Sequence, residues 1–204
     1  MSVLEPHEYD ISYFDGQKSA YSHNAGYTEY KRWPRYDNGV LGTHEGCTGE
    51  FFKDHAKIVV DKYNLAGKKV LELGSAYGFT VEDLRDLGVD AYGIDVSQYA
   101  YDQASSVVQP YLTVADARTE LSKYKANEFD IIYSRWFLEC ISDDDLPDLV
   151  DEMNRISKQQ VHVVRKGKNP DYYNKKTVQE WLDLSWEKGT VFLESHALQT
   201  IHKK

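Results

Sequence analysis

From about residue 48 onward, strand-like apolar runs alternate with segments of helical periodicity. The runs lie at 70–73, 90–95, 111–116, 129–134 and 160–164, and most of them are separated by one amphipathic segment. Single helices between strands predict crossover connections, which require parallel strands with helices on both faces of the sheet. The pattern therefore predicts an α/β, Rossmann-like fold with a mostly parallel sheet.

The C-terminal pattern differs from the rest. A helical segment at about 177–186 precedes the strand-like runs TVFLES and LQTIHKK, which little more than His196 and Ala197 separates. So short a link permits an antiparallel hairpin but no helical crossover. We therefore expect a seven-stranded sheet that finishes with a C-terminal antiparallel hairpin.

The first 47 residues form a segment of another kind. They contain six tyrosines and Trp33 among glycines and charges, and they show no sustained period. We expect residues 1–47 to form an aromatic-rich cap or lid and residues 48–204 to form the ligand-binding domain.

Composition excludes several classes of protein. Only Cys47 and Cys140 are present, and neither has a Cys or His partner at metal-ligand spacing, so we expect no metal and a reducing, cytoplasmic compartment. No segment approaches the apolar length of a membrane span. The net charge of −9 disfavours nucleic acid as a partner. The composition therefore favours a small-molecule or protein substrate.

The stretch VLELGSAYGF, residues 70–79, places glycines at 74 and 78 directly after a strand. Ligands of open parallel sheets bind beyond the carboxyl ends of the strands, beside the first strand. Glu72 ends a strand that is otherwise fit for burial, so its carboxylate should face an ammonium or buried N–H groups. Asp95 follows 23 residues later at the end of the second strand, where a carboxylate can accept both hydroxyls of a ribose. These residues predict a ligand with a ribose and a cationic group.

At this point the residues resemble the class I S-adenosylmethionine-dependent methyltransferases, in their small-molecule, methyltransferase-11-like branch. The motif ELGSAYG is similar to the family's first motif, Asp95 in GIDVS to its second acid, and Asp116 in ADAR to its adenine-contacting acid. The resemblance implies S-adenosylmethionine as cofactor, S-adenosylhomocysteine as product and a small-molecule or protein acceptor. It implies that the following residues bind the cofactor: Glu72, Gly74, Ser75, Ala76, Tyr77, Gly78, Asp95, Val96, Asp116, Ala117, Ser134 and Arg135.

Two positions depart from the family's pattern. Ala76 stands where the first motif frequently has a glycine, and Cys140 in LEC stands where related chains often have histidine. A histidine base is therefore not transferred to position 140, and His23, His44 and Glu139 remain the candidate acid or base residues. No Asp-Pro-Pro-Tyr or Asn-Pro-Pro-Tyr follows the fourth strand, which disfavours methylation of nucleic-acid bases.

The expected reaction is direct in-line displacement of a methyl group, for which orientation matters most and a catalytic base is optional. There are three alternatives to methyl transfer, of which the last is disfavoured. Another transferase or a lyase could use the same cofactor and fold, or the chain could bind the cofactor without turnover. A dinucleotide-dependent oxidoreductase is disfavoured because GSAYG lacks the three-glycine spacing.

Overall fold

The computed structural model describes residues 8–15, 27, 51–164, 176–184, 190–194 and 200–203. The candidate bases His23 and His44 lie outside these residues, as does most of the predicted N-terminal cap. The first motif, the second and third acids and the fourth strand all lie within them.

The core of the fold is one sheet with the strand order β3-β2-β1-β4-β5-β6-β7. Its strands are β1 Lys69–Leu73, β2 Asp90–Asp95, β3 Leu112–Val114, β4 Phe129–Arg135, β5 Ser157–Val164, β6 Thr190–Glu194 and β7 Thr200–Lys203. Neighbours from β3 to β6 pair in parallel, and β7 pairs antiparallel with β6. The prediction of an α/β fold with a parallel sheet flanked by helices is confirmed.

Seven α-helices occur in the described part of the chain. They are α1 Ile11–Phe14, α2 Phe51–Tyr63, α3 Phe79–Asp86, α4 Gln98–Gln103, α5 Ala117–Glu120, α6 Leu146–Ile156 and α7 Val178–Leu182. Short 3₁₀ turns cover Gln109–Tyr111, Leu121–Lys123 and Leu138–Cys140. None of these helices is both long and apolar enough to cross a membrane.

Helix α4 has only six residues, although the segment from Ser97 to Val108 lies between two strands and could form a longer helix. Ser97 is its N-cap, and its Oγ accepts a hydrogen bond from the N–H of Ala100 at 2.9 Å. Ala104 then takes an extended conformation. Two serines follow, and Pro110 cannot continue a helix, which explains the early end. Between β3 and β4 the sequence shows no helical periodicity, yet the structure has the four-residue helix α5 there.

The sheet separates two hydrophobic cores. On one face, Val59 of α2 and Leu84 of α3 pack with Val70 of β1. On the other face, Met153 of α6 packs with Leu71, and this cluster also includes Trp181 of α7. Successive side chains of β1 therefore enter different cores, as the twofold period of a strand requires when both faces are covered. Burial from both sides holds the carboxyl ends of the strands in fixed positions.

We predict that Met153→Ala lowers the free energy of unfolding by about 2–5 kcal/mol, because Met153 is fully buried under the sheet and truncation leaves a cavity. The matched control is Asp151→Ala on the exposed side of the same helix, with an expected change within about 0.5 kcal/mol. Denaturant unfolding measures both. Equal losses in the two variants would contradict the assignment of Met153 to the core.

Candidate active site

The carboxyl ends of β1, β2 and β4 open into one cleft. Its empty space, including the mouth, is about 1070 Å³. The cleft lies where β1 separates β2 from β4, at the switch point of the strand order. The predicted cofactor-binding residues that line it are Glu72, Gly74, Ser75, Ala76, Asp95, Val96, Asp116, Ala117 and Arg135.

The loop after β1 forms the floor of the cleft. The N–H groups of Gly74 and Ser75 both donate to the carbonyl of Ile94, at 2.9 and 3.1 Å, which ties the loop to the end of β2. Gly74 has φ of 76°, and a Cβ there would lie 3.0 Å from Cδ2 of Phe137. Ala76 has φ of 48°, so this alanine occupies the left-handed region that a glycine would enter without strain.

Asp95 fixes the next loop. One of its oxygens accepts from the N–H of Ala76 at 2.8 Å, and the other accepts from the N–H of Ser97 at 2.9 Å. Burial raises the pKa of Asp95, although the backbone N–H groups oppose that shift. Each carboxylate oxygen has a further lone pair, so Asp95 can still accept hydrogen bonds from a ligand in the cleft.

Glu72 is a buried acid with an unsatisfied oxygen. It is 3% exposed, and its Oε2 has no hydrogen-bond partner among the described residues. Burial raises the pKa of Glu72 to about 8; Arg135 and a hydrogen bond with Thr80 oppose the shift, while Asp95 and Asp83 reinforce it. Ser75 Oγ is also buried and has no hydrogen-bond partner within the described part of the chain. Unpaired buried polar atoms that line a cleft are what a polar ligand would satisfy.

Asp116 lines the cleft and is also the N-cap of α5. It caps α5 by accepting from the N–H of Arg118 at 2.9 Å, and the guanidinium of Arg118 donates to both of its oxygens. Burial alone would raise the pKa of Asp116, but the hydrogen bonds from Arg118 outweigh it and lower the pKa. Arg118 also donates to Asp145 at 2.8 Å. The ion pair orients Asp116 at the edge of the cleft.

Four predicted residues lie outside the lining of the cleft: Tyr77, Gly78, Ser134 and Glu139. Tyr77 is buried in a cluster of aromatic rings. The hydroxyl of Ser134 bonds Nδ1 of His162 at 2.8 Å, and the other ring nitrogen bonds Gln160 at 3.0 Å. Burial lowers the pKa of His162 to about 3, which makes it a neutral strand histidine. Cofactor roles for Tyr77, Gly78 and Ser134 and an acid or base role for Glu139 stay predictions.

Aromatic rings from the N-terminal segment form one wall of the cleft, and none of these rings was among the predicted site residues. The rings belong to Tyr9, Tyr13, Phe14 and Tyr27, and they meet Trp136 after β4. Trp136 has φ of 58°, an unusual conformation for so bulky a residue. The four rings of the N-terminal segment, those of Tyr9, Tyr13, Phe14 and Tyr27, are called the aromatic wall below. The tyrosine content of the first 47 residues was the available signal.

Gly93 was also missed. A Cβ on Gly93 would lie 2.6 Å from Cβ of Ser75, so only glycine leaves room for the loop after β1. An isolated glycine within a strand pattern often marks such a close approach, and DAYGID carried that signal.

Comparison with known proteins shows which proteins the chain is similar to. The sequence model of a family described as "Methyltransferase domain" matches residues 71–164. Magnesium protoporphyrin IX methyltransferase from Synechocystis PCC 6803, solved with bound S-adenosylmethionine, is 14% identical, with a TM-score of 0.50 over 64% of this chain and 63% of that one. The YcgJ protein from Bacillus subtilis is 19% identical, with a TM-score of 0.53 over 62% of this chain and 64% of that one. No curated protein matches at a significant level.

The two solved structures show the same fold, and this chain spans less than two thirds of the length of either. Residues 71–164 match a methyltransferase domain, in agreement with the resemblance to the class I S-adenosylmethionine-dependent methyltransferases inferred from the motifs. This match supports an enzyme that uses S-adenosylmethionine as its cofactor.

We predict that Gly74→Ala and Gly67→Ala both destabilise the chain by about 1 kcal/mol, since both glycines have positive φ. No atom of the residues that the structure describes lies within 4 Å of a Cβ on Gly67, whereas a Cβ on Gly74 meets Phe137 in the cleft. Only Gly74→Ala should therefore also weaken binding of S-adenosylhomocysteine. Denaturant unfolding and calorimetry separate the two effects, and equal ligand affinity in both variants would be the contrary result.

We predict that the free energy of unfolding of the ligand-free chain falls as pH rises from about 4.5 to 8. The raised pKa of Glu72 means that the folded chain holds a proton there which the unfolded chain has released. Glu72→Gln should flatten this decline. The control is Glu152→Gln: hydrogen bonds from Arg155 lower the pKa of Glu152, so its contribution is lost only in acid. Parallel wild-type and Glu72→Gln profiles between pH 5 and 9 would contradict the prediction.

Proposed function

We propose that this protein transfers the methyl group of S-adenosylmethionine directly to a small-molecule acceptor. The observation that carries the proposal is the pairing of an unsatisfied buried Glu72 with a backbone-anchored Asp95 in one cleft. Their separation along the chain and their meeting at the switch point match a ligand with an ammonium and a ribose. The methyltransferase domain at 71–164 supports the same ligand.

The residues of the cleft fit the cofactor chemically. Glu72 would hold the ammonium, because its free oxygen then gains both a hydrogen bond and an opposite charge. Asp95 would accept the ribose hydroxyls, and Asp116 with Ala117 would contact the adenine. The side chains of Ile94 and Ile141 also line the cleft and offer apolar contact surface. Because Gly74 has no side chain and Ala76 has a small one, the backbone of the loop after β1 can approach a ligand closely.

When bound, the cofactor supplies an electrophilic methyl group on its sulfonium. The task left for the protein is to hold an acceptor atom in line with that group and to exclude water, which can contribute roughly 7–11 kcal/mol to lowering the barrier. A carboxylate, neutral amine or thiolate acceptor requires no strong base. For a hydroxyl or ammonium acceptor, His23, His44 and Glu139 are the proposed bases.

We place the acceptor against the aromatic wall. The wall brings apolar surface and tyrosine hydroxyls to the same cleft as Asp95, and pockets of this composition suit small molecules. The net charge of −9 supports an acceptor other than nucleic acid. Residues 1–47 would form the cap over the cleft and 48–204 the catalytic domain, with a seven-stranded sheet that includes the terminal hairpin. The two cysteines in 204 residues support a reducing cytoplasm.

We predict that S-adenosylmethionine or S-adenosylhomocysteine raises the melting temperature of the chain, since a ligand that binds only the folded state stabilises it by mass action. NAD at the same concentration should leave the melting temperature unchanged. A shift with NAD and none with S-adenosylhomocysteine would overturn the proposed function.

We predict that Asp95→Ala weakens the binding free energy of S-adenosylhomocysteine by about 1.5–3 kcal/mol, as measured by calorimetry. Asp90→Ala is the control, because Asp90 lies at the opposite end of β2 and pairs with Arg85 at the surface.

A further inference from the structure

Asp15 directly follows α1 and accepts hydrogen bonds from three separate parts of the chain. One oxygen accepts from the N–H of Tyr27 at 2.8 Å. The other accepts from the hydroxyls of Tyr77 at 2.5 Å and Tyr99 at 3.0 Å. None of these contacts is local, since the nearest of the three partners is 12 residues away in sequence.

Two of the partners belong to the loops that build the cofactor side of the cleft. Tyr77 lies between Ala76, whose N–H binds Asp95, and Gly78, which precedes α3. Tyr99 lies in the first turn of α4, whose N-cap Ser97 also donates its N–H to Asp95. Asp15 thus joins the N-terminal segment to both loops that Asp95 organises.

A second contact acts in the same place. The hydroxyl of Ser97 donates to the carbonyl of Tyr9, while its oxygen accepts from Ala100. The N-terminal segment is therefore fastened to α4 on both sides of α1. Aromatic rings of the segment also pack against Tyr77. The ring centroid of Phe14 lies 5.2 Å from that of Tyr77, and the centroid of Tyr27 lies 4.9 Å from it.

Apolar burial alone gives α1 little to hold it in place. The helix has four residues, of which only Phe14 is buried, and Ile11 is 56% exposed. So short a helix has no stability of its own. Burial and the hydrogen bond to Asp15 raise the pKa of Tyr77, so its hydroxyl stays protonated and able to donate over the physiological range.

We propose that Asp15 is a positioning residue that seats the aromatic wall over the cleft and so retains the nucleoside ligand beneath it. The inference rests on the proposed function, because it takes the ligand of the cleft to be S-adenosylmethionine or its product. Asp15 itself does not line the cleft. It acts through Tyr9, Tyr13, Phe14 and Tyr27, which do.

The test measures the dissociation rate constant of S-adenosylhomocysteine from the full chain, by displacement with excess S-adenosylmethionine in stopped flow. Asp15→Ala should raise this rate at least about tenfold, the order expected when hydrogen bonds to a charged group are lost. Tyr99→Phe removes one of the three donors and should raise the rate by less. The melting temperature of ligand-free Asp15→Ala should stay within a few degrees of wild type.

Two variants on α4 are matched controls. Asp102→Ala removes an acid whose contact is the amide of Gln98, and Tyr101→Phe removes a tyrosine hydroxyl two residues from Tyr99. Both should release S-adenosylhomocysteine at the wild-type rate. A wild-type rate in Asp15→Ala, or an equal rise in Asp102→Ala, overturns the role of Asp15. Failure of the wild-type chain to bind S-adenosylhomocysteine overturns the proposed function, and the role of Asp15 with it.

Discussion

The two backbone hydrogen bonds to Asp95 are the interaction on which the site depends. They join the loop after β1 to the start of α4, and they do so at the carboxyl edge of a sheet whose two faces are both covered. Hydrogen bonds to a charged acceptor are stronger than neutral ones, so this one side chain can hold the two loops in a fixed relative position. The position of Ala76, the cap of α4 and the contact from Ser97 to Tyr9 all follow from it.

The order of the central elements was predictable because local pattern and tertiary burial agree there. Residues 70–73 and 129–134 are apolar runs with a helix to cover each face, and the structure has strands at both. The residues from 104 to 128 were less predictable. Ala104 can propagate a helix, yet α4 stops there, and the short α5 has only a capping acid, Asp116, as its sequence signal. Elements of one turn are decided by contacts that a sequence pattern does not contain.

The candidate site also contains residues that the sequence could predict and residues that it could not. Glu72 and Asp95 could be found because a carboxylate at the end of a buried strand needs an explanation. Tyr77 was predicted to bind the cofactor, but it lies outside the lining of the cleft and is buried against Phe14 and Tyr27. That burial depends on a segment far away in sequence. Periodicity cannot show such a contact, because the N-terminal residues have no period to interpret.

Four non-glycine residues in the described part of the chain have positive φ: Asn64, Ala76, Asn127 and Trp136. The two asparagines tolerate this conformation, whereas alanine and tryptophan do not. Both of the latter line the cleft. Conformational strain is thus concentrated at the site and is carried by the rigid sheet beneath it. Such positions are where a chain gives up stability for shape, so directed evolution for heat resistance would find its easiest gains at the residues that activity can least afford to change.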